Sequence, residues 1–244
     1  MFAIYKKELN TFFSSIIGYV VMAIFLVVMW LLLWMFPNAN NIIDNKFAAL
    51  DGFFNIVPQI FIFLIPAITM RSFAEENQTG TIELLATKPL KDWEIVVGKF
   101  LANWTLVVFT LLPTFVYFFS VYQLGSQTGN MDIGASIGSY IGLFLLGAIC
   151  VAIGIFASAL TNNQIIAFLL AVFLSFFIYS GFDYISLIPM FSGNLDDLIQ
   201  RFGINFHYAS ISRGVVELSS FVYFVSVTFF FIWLTKGALE RRKL

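Results

Sequence analysis

The sequence predicts an all-α membrane protein with six spanning helices, and three observations carry that prediction. The 244 residues are 60% hydrophobic and only 11% charged, where soluble domains are about 45–50% apolar and about 25% charged. The mean hydropathy is +0.90, so there are too few charges to coat a water-facing surface and too many apolar groups for one core. Apolar runs also recur at about 20 residues, the length a helix needs to cross the hydrocarbon of a bilayer. Lipid as solvent removes the conflict. The 31 phenylalanines fit the same picture, because bulky aromatic rings cost nothing on a lipid-facing wall.

The spans follow in order along the chain. Ile16–Phe36 carries no charge at all. It is too long for a cleavable signal, and no small-x-small cleavage pattern follows it. Phe53–Met70 contains Pro58 and Pro66, and Phe100–Tyr122 contains Pro113. Ile137–Leu160, Ile165–Phe182 and Leu218–Leu234 complete the set. Proline inside a span removes a helical hydrogen bond, and it is tolerated where neighbouring helices or water satisfy the freed carbonyl. That favours a packed bundle over isolated anchors.

Charge sets the orientation. Six spans put both ends of the chain on one side. Ten basic residues fall there: Lys6, Lys7, Arg71, Lys88, Lys91, Lys99, Lys236, Arg241, Arg242 and Lys243. Only Lys46, Arg201 and Arg213 fall on the other. The positive-inside rule therefore places both termini in the cytoplasm.

Composition also excludes several functions. A net charge of −1 provides no basic field for nucleic acid. The single cysteine, Cys150, rules out an internal disulfide or a cysteine metal cluster and reads as a small buried hydrophobe. His207 has no second His or Cys to share a metal with. Asp196 and Asp197 are adjacent and read as a helix start or solvated turn. No acid, base or histidine sits at mid-span, which argues against a proton-coupled carrier, an intramembrane protease or a lipid-modifying enzyme. No phosphate loop or dinucleotide fingerprint is present. If the protein works against a gradient, its energy must come from another chain.

Three features stand out on the basic side. Residues 1–15 read as an interfacial helix, with Phe2, Tyr5, Leu9, Phe12 and Ile16 on one face and Lys6, Lys7, Asn10 and Ser14 on the other. The tail is basic. The loop 71–99 is the longest and most charged. Within it a short helix fits 81–87: Thr79 or Thr81 can cap it, Glu83 suits its first turn, Gly80 breaks the chain before it and Pro89 stops it. Asp92 can cap the helix that follows. Ile82, Leu84 and Leu85 would be exposed apolar knobs suited to a groove on a soluble partner. The alternative is a loop tied back onto the bundle by Arg71 and the glutamates, and the residues alone leave both open. On the other side, 181–217 mixes charges with apolar pieces too short to span, read as helices that dip into the outer leaflet or cover the outer mouth. Gly134, Gly138 and Gly142 form a small-residue stripe, for packing within one chain or between two.

The stretch Arg71-Ser-Phe-Ala-Glu-Glu…Gly80-Thr81-Ile82-Glu83-Leu84-Leu85…Pro89…Gly98-Lys99 resembles the signature region of ABC-2 type permeases, the membrane subunits of one class of ATP-binding-cassette transporters. Lys6-Lys7-Glu8-Leu9 resembles their amphipathic N-terminal helix, and Ser212-Arg213-Gly214-Val215-Val216 their pattern before the last span. Length and wording are most similar to the permease subunits of gliding-motility transporters. The resemblance implies a coupling helix around 81–87 seated on a cytoplasmic ATPase, with Glu76, Thr81, Ile82, Glu83, Leu84 and Leu85 at the joint and Arg71 at the inner end of the second span. It implies re-entrant outer helices with Arg213 and Glu217 at an outer gate, and a second permease chain as homo- or heterodimer. The surroundings would be the lipid of a bacterial inner membrane. No cofactor is expected in this chain; ATP and magnesium would belong to the ATPase. The alternative is a membrane scaffold for a motility or secretion machine that moves no cargo.

Overall fold

A computed structural model of the chain describes residues 1–45, 48–81, 91–125, 131–189, 195–214 and 217–242. Ile82, Glu83, Leu84 and Leu85, and with them the expected coupling helix, lie outside the described residues. All regular structure among the described residues is helical, and six helices are long and apolar enough to cross a membrane.

α1 (Phe2–Ser14) precedes the first span, which is α2 (Ile16–Trp30) with a π turn over Leu31–Met35 at its end. A short α3 (Ile42–Asn45) precedes α4 (Asp51–Thr69), the second span. After one residue the chain continues as α5 (Arg71–Thr79). Then come α6 (Asp92–Leu111) and, past a 3-10 turn at Pro113, α7 (Phe115–Leu124), which together make the third span. The fourth is α8 (Ile133–Leu160). The fifth is α9 (Gln164–Phe176), extended through a π turn into α10 (Phe182–Ser186). Two short helices, α11 (Asp196–Gln200) and α12 (Ile204–Ile211), lead to the sixth span, α13 (Leu218–Arg242).

Helix reaches further than hydropathy delimits it. Residues 71–79, read from charge as loop, are helix that continues the second span, and 92–99, where Asp92 is expected to cap the following helix, are the start of the third. The reason is that their polar groups find partners within the bundle.

The fourth span is the hub. It packs against α4, α5, α6, α9, α12 and α13, and it can do so because small residues let neighbouring backbones approach. A Cβ on Gly138 would meet the Gly214 Cα at 2.9 Å, and one on Gly142 the Ile211 side chain at 2.9 Å. Those two positions therefore pack against α12 and the turn after it, within one chain. Gly134 meets only the neighbouring Asp132 side chain. The turn closes at Gly214 with φ of 84°, a left-handed conformation that favours glycine. Most residues of the second to fourth spans are buried, while only a minority are in the first, fifth and sixth.

Proline explains one long-range bond. Pro58 has no N–H, so the carbonyl of Phe54, one turn earlier, lacks its helical donor. The hydroxyl of Tyr208, buried on α12, donates to that carbonyl at 2.8 Å. The short helix α12 thus repairs the second span and is anchored by it. Tyr208→Phe is expected to cost about 1–3 kcal/mol, because a buried carbonyl loses its donor. The check is the thermal midpoint of the purified chain in detergent; a midpoint equal to wild type would remove this role.

Candidate functional site

The chemistry concentrates where α1, α5 and α6 meet. Helical periodicity along α6 buries Ile95, Val96, Lys99, Ala102, Asn103 and Leu106 on one face. Lys99 thus sits among apolar positions, and its side chain is 0% exposed. A buried ammonium is stable only when paired and hydrogen-bonded. Its Nζ donates to Glu8 Oε1 at 2.8 Å and to the Ser72 carbonyl. Glu76 Oε2 lies 3.0 Å away, a charge contact without the alignment of a hydrogen bond. The ammonium also stands 4.9 Å from the centroid of the Phe73 ring, a favourable cation–π placement.

Two further residues close the network. Lys7 on α1 donates to the other oxygen of Glu76 at 2.8 Å and lies 3.9 Å from Glu8. Partial burial opposes its charge, but the hydrogen bond and attraction from Glu76, with help from Glu8, prevail and hold its pKa above the ordinary lysine value. Asn103 donates to the Ser72 hydroxyl and to the Lys99 carbonyl. Two lysines and two carboxylates therefore balance, and three helices far apart in sequence are joined at one point.

The close approach of α1 rests on Gly98, where a Cβ would meet the Met1 carbonyl at 3.1 Å and Ile4 at 3.2 Å. Tyr5 adds a hydroxyl contact to Thr105 at 3.2 Å. On α1, Leu9 and Phe12 of the apolar face expected for an interfacial helix pack partly against the core. Ile4 is the buried residue of α1 and Glu8 points into the charged cluster, while Phe2 and Ile16 remain exposed. Lys7 reaches inward across the polar face, and Lys6 stays exposed. The fit to the bundle, and not the stripe alone, decides which side turns in.

A second junction holds α5 from the other side. Ser158 on the fourth span donates to the Met70 carbonyl at 2.8 Å and accepts from the N–H groups of Phe73 and Ala74 at 3.0 Å each. One turn earlier, Gly154 leaves room for Thr69. Asn77 donates to the Thr161 carbonyl at 3.1 Å. The helix after the second span is therefore clamped along its length.

Each residue expected from sequence has a definite place. Of the ties expected for the charged loop, Glu76 makes one, through Lys99 and Lys7. Arg71 has no carboxylate partner among the described residues, and its Nε is buried without a hydrogen bond. Thr79 closes α5, its hydroxyl donating to the Glu75 carbonyl, and Thr81 Oγ1 lies 3.0 Å from it. Gly80 takes φ of 70°. Asp92 is the first residue of α6 and not its cap; the Glu94 carboxylate instead accepts the Lys91 N–H. Arg213 donates to the Ala209 carbonyl and Glu217 accepts from Ser219. They form no ion pair with each other among the described residues. Asp196 and Asp197 start α11, bonded to Gln200 and Arg201 one turn on.

His207 is engaged by both ring nitrogens, with Ser220 at 3.1 Å and the Arg201 carbonyl at 3.0 Å, and it stacks on Tyr223 at 4.1 Å. Partial burial holds its pKa below the ordinary value, against the upward pull of the Arg201 carbonyl and Glu217.

Sequence reading includes Lys99 in the family-like stretch and among the basic residues without giving it a role, and it passes over Ser158. Lys99 had a signal: a lone lysine in helical phase with apolar neighbours. Ser158 had none, since an isolated serine in an apolar helix is common.

The described residues thus form a helical bundle of six apolar spans with a charged junction at its basic end. The chain belongs to the family described as ABC-2 family transporter protein, whose profile matches residues 2–235. No curated protein matches it.

Proposed function

We propose that this chain is the permease subunit of an ATP-binding-cassette transporter. It moves substrate across a bacterial inner membrane with ATP hydrolysed by a separate cytoplasmic subunit. The observation that carries this reading is the junction of α1, α5 and α6. Residues 82–90 lie between α5 and α6, and both helices are tied to α1 through Glu76, Lys99 and Glu8. A push delivered to 82–90 by a docked ATPase would pass directly into the second and third spans.

In this reading Glu76, Thr81, Ile82, Glu83, Leu84 and Leu85 form the docking region, and both termini are cytoplasmic. ATP and magnesium are bound by the ATPase. A second permease chain, identical or different, completes the pathway, and Arg213 and Glu217 lie at its outer mouth. The similarity to gliding-motility permeases makes motility or an associated secretion step the process we favour.

The test is co-expression with candidate ATPases and measurement of ATP hydrolysis with and without Glu83→Ala, Leu84→Asp. An ATPase is expected to co-purify. The pair should weaken it about tenfold or more, the effect of removing an interface residue worth about 2 kcal/mol. Absence of any bound ATPase would instead favour a scaffold that moves no cargo.

A further inference from the structure

A cavity of about 430 Å³ opens beside the charged junction, between α1 and α2 on one side and α4, α5 and α6 on the other. Its volume is that of a small-ligand site. One end is polar, with Lys7, Arg71 and Glu76 on its wall; the other is apolar, with Val21, Ile68 and Leu106. The charges are not equivalent. Lys99 and Lys7 are already neutralised by Glu8 and Glu76, and Glu75 on the rim is exposed. With Glu75 counted, three cations and three carboxylates line the cavity, and Arg71 is the cation without a direct carboxylate contact. It has no ion pair among the described residues, and its buried Nε donates to nothing. A buried guanidinium nitrogen without an acceptor is costly, and the planar guanidinium fork matches a phosphate oxygen pair.

We propose that this cavity binds one phospholipid, its phosphate on Arg71 and the upper part of an acyl chain along Val21, Ile68 and Leu106. The apolar wall is built from Val21 in the second turn of α2, Ile68 in the last turn of α4 and Leu106 about four turns into α6. A soluble anion would satisfy Arg71 but leave the apolar half of the cavity unfilled. A phospholipid satisfies both. Bound there, it would bridge α2 to the α4–α5 junction and so complete the packing between the first span and the core.

The experiment is a thermal unfolding titration of the full chain, with any partner that co-purifies, in a lipid-free detergent. Phosphatidylglycerol is compared with diacylglycerol, which lacks the phosphate, and with inorganic phosphate, which lacks the chains. Phosphatidylglycerol alone is expected to raise the midpoint saturably. Arg71→Gln should weaken that binding about tenfold, the worth of one charge-assisted hydrogen bond. Val21→Trp, which fills the apolar half and leaves every charge in place, should weaken it similarly; it carries the test if Arg71→Gln does not fold. Arg201→Gln, at an exposed ion pair on α11, should bind as wild type. An equal shift with inorganic phosphate would make this a soluble-anion site, and an equal shift with diacylglycerol an apolar slot. Either result overturns the proposal, as does unchanged binding in the folded Arg71 or Val21 variant.

Discussion

Lys99→Met is expected to destabilise the folded chain by about 3–5 kcal/mol, the cost of removing one partner from a buried ion pair. Methionine matches the length of the lysine stem and keeps most of its packing, so the loss is electrostatic. Without the ammonium, Glu8 and Glu76 face one another at 19% and 12% side-chain exposure, with only Lys7, 54% exposed, to offset them. The Ser72 carbonyl loses its donor, and the Phe73 ring loses its cation. Adding Glu8→Gln and Glu76→Gln to Lys99→Met should recover most of the loss, because the charges then disappear together. Denaturant or thermal unfolding in detergent measures both variants. If Lys99→Met alone unfolds within about 1 kcal/mol of wild type, the range of an exposed pair, the cluster does not hold α1 to the bundle.

Ser158→Ala is expected to cost about 3 kcal/mol, since each buried polar group stripped of its partner loses about 1–3 kcal/mol. The hydroxyl bonds three backbone groups at once: the Met70 carbonyl and the Phe73 and Ala74 N–H groups. Alanine fills nearly the same volume, so no cavity is made and the loss is one of hydrogen bonding. Local exchange distinguishes this from general loosening. The amides of Phe73 and Ala74 should exchange faster than those of Ile149 and Val151, in the middle of the same buried helix that carries Ser158. Equal acceleration throughout would mean that Ser158 supports the whole bundle and does not specifically fasten α5. Because α5 leads directly to 82–90, the same variant is expected to loosen whatever docks on that stretch.

The two junctions show where local pattern suffices and where it does not. Lys99 was visible as a charge, and its phase with Ile95, Val96 and Leu106 marked it as facing inward. Its partners were not visible, because Glu8 lies 91 positions away along the chain. The proline in the second span announced a freed carbonyl. That Tyr208 would fill it, across 154 positions, followed from no spacing. The glycine stripe at 134, 138 and 142 allowed two packings, within a chain or between chains. The turn at Gly214 and the side chain of Ile211 occupy two of its three positions.

By itself the sequence determined the membrane environment, the number of spanning helices and the asymmetry of basic residues. All of these are sums of local terms: apolar area per residue, the length of uninterrupted runs, the count of charges between them. Only the tertiary structure decided which side of α1 turns inward, that residues 71–79 are helix and not loop, and which groups satisfy Lys99, Phe54 and the start of α5. The physical reason is the solvent. Hydropathy measures what each segment does in lipid one residue at a time. A buried charge or an orphaned carbonyl is instead satisfied by whichever distant group the packing brings within about 3 Å, and no local sum contains that distance.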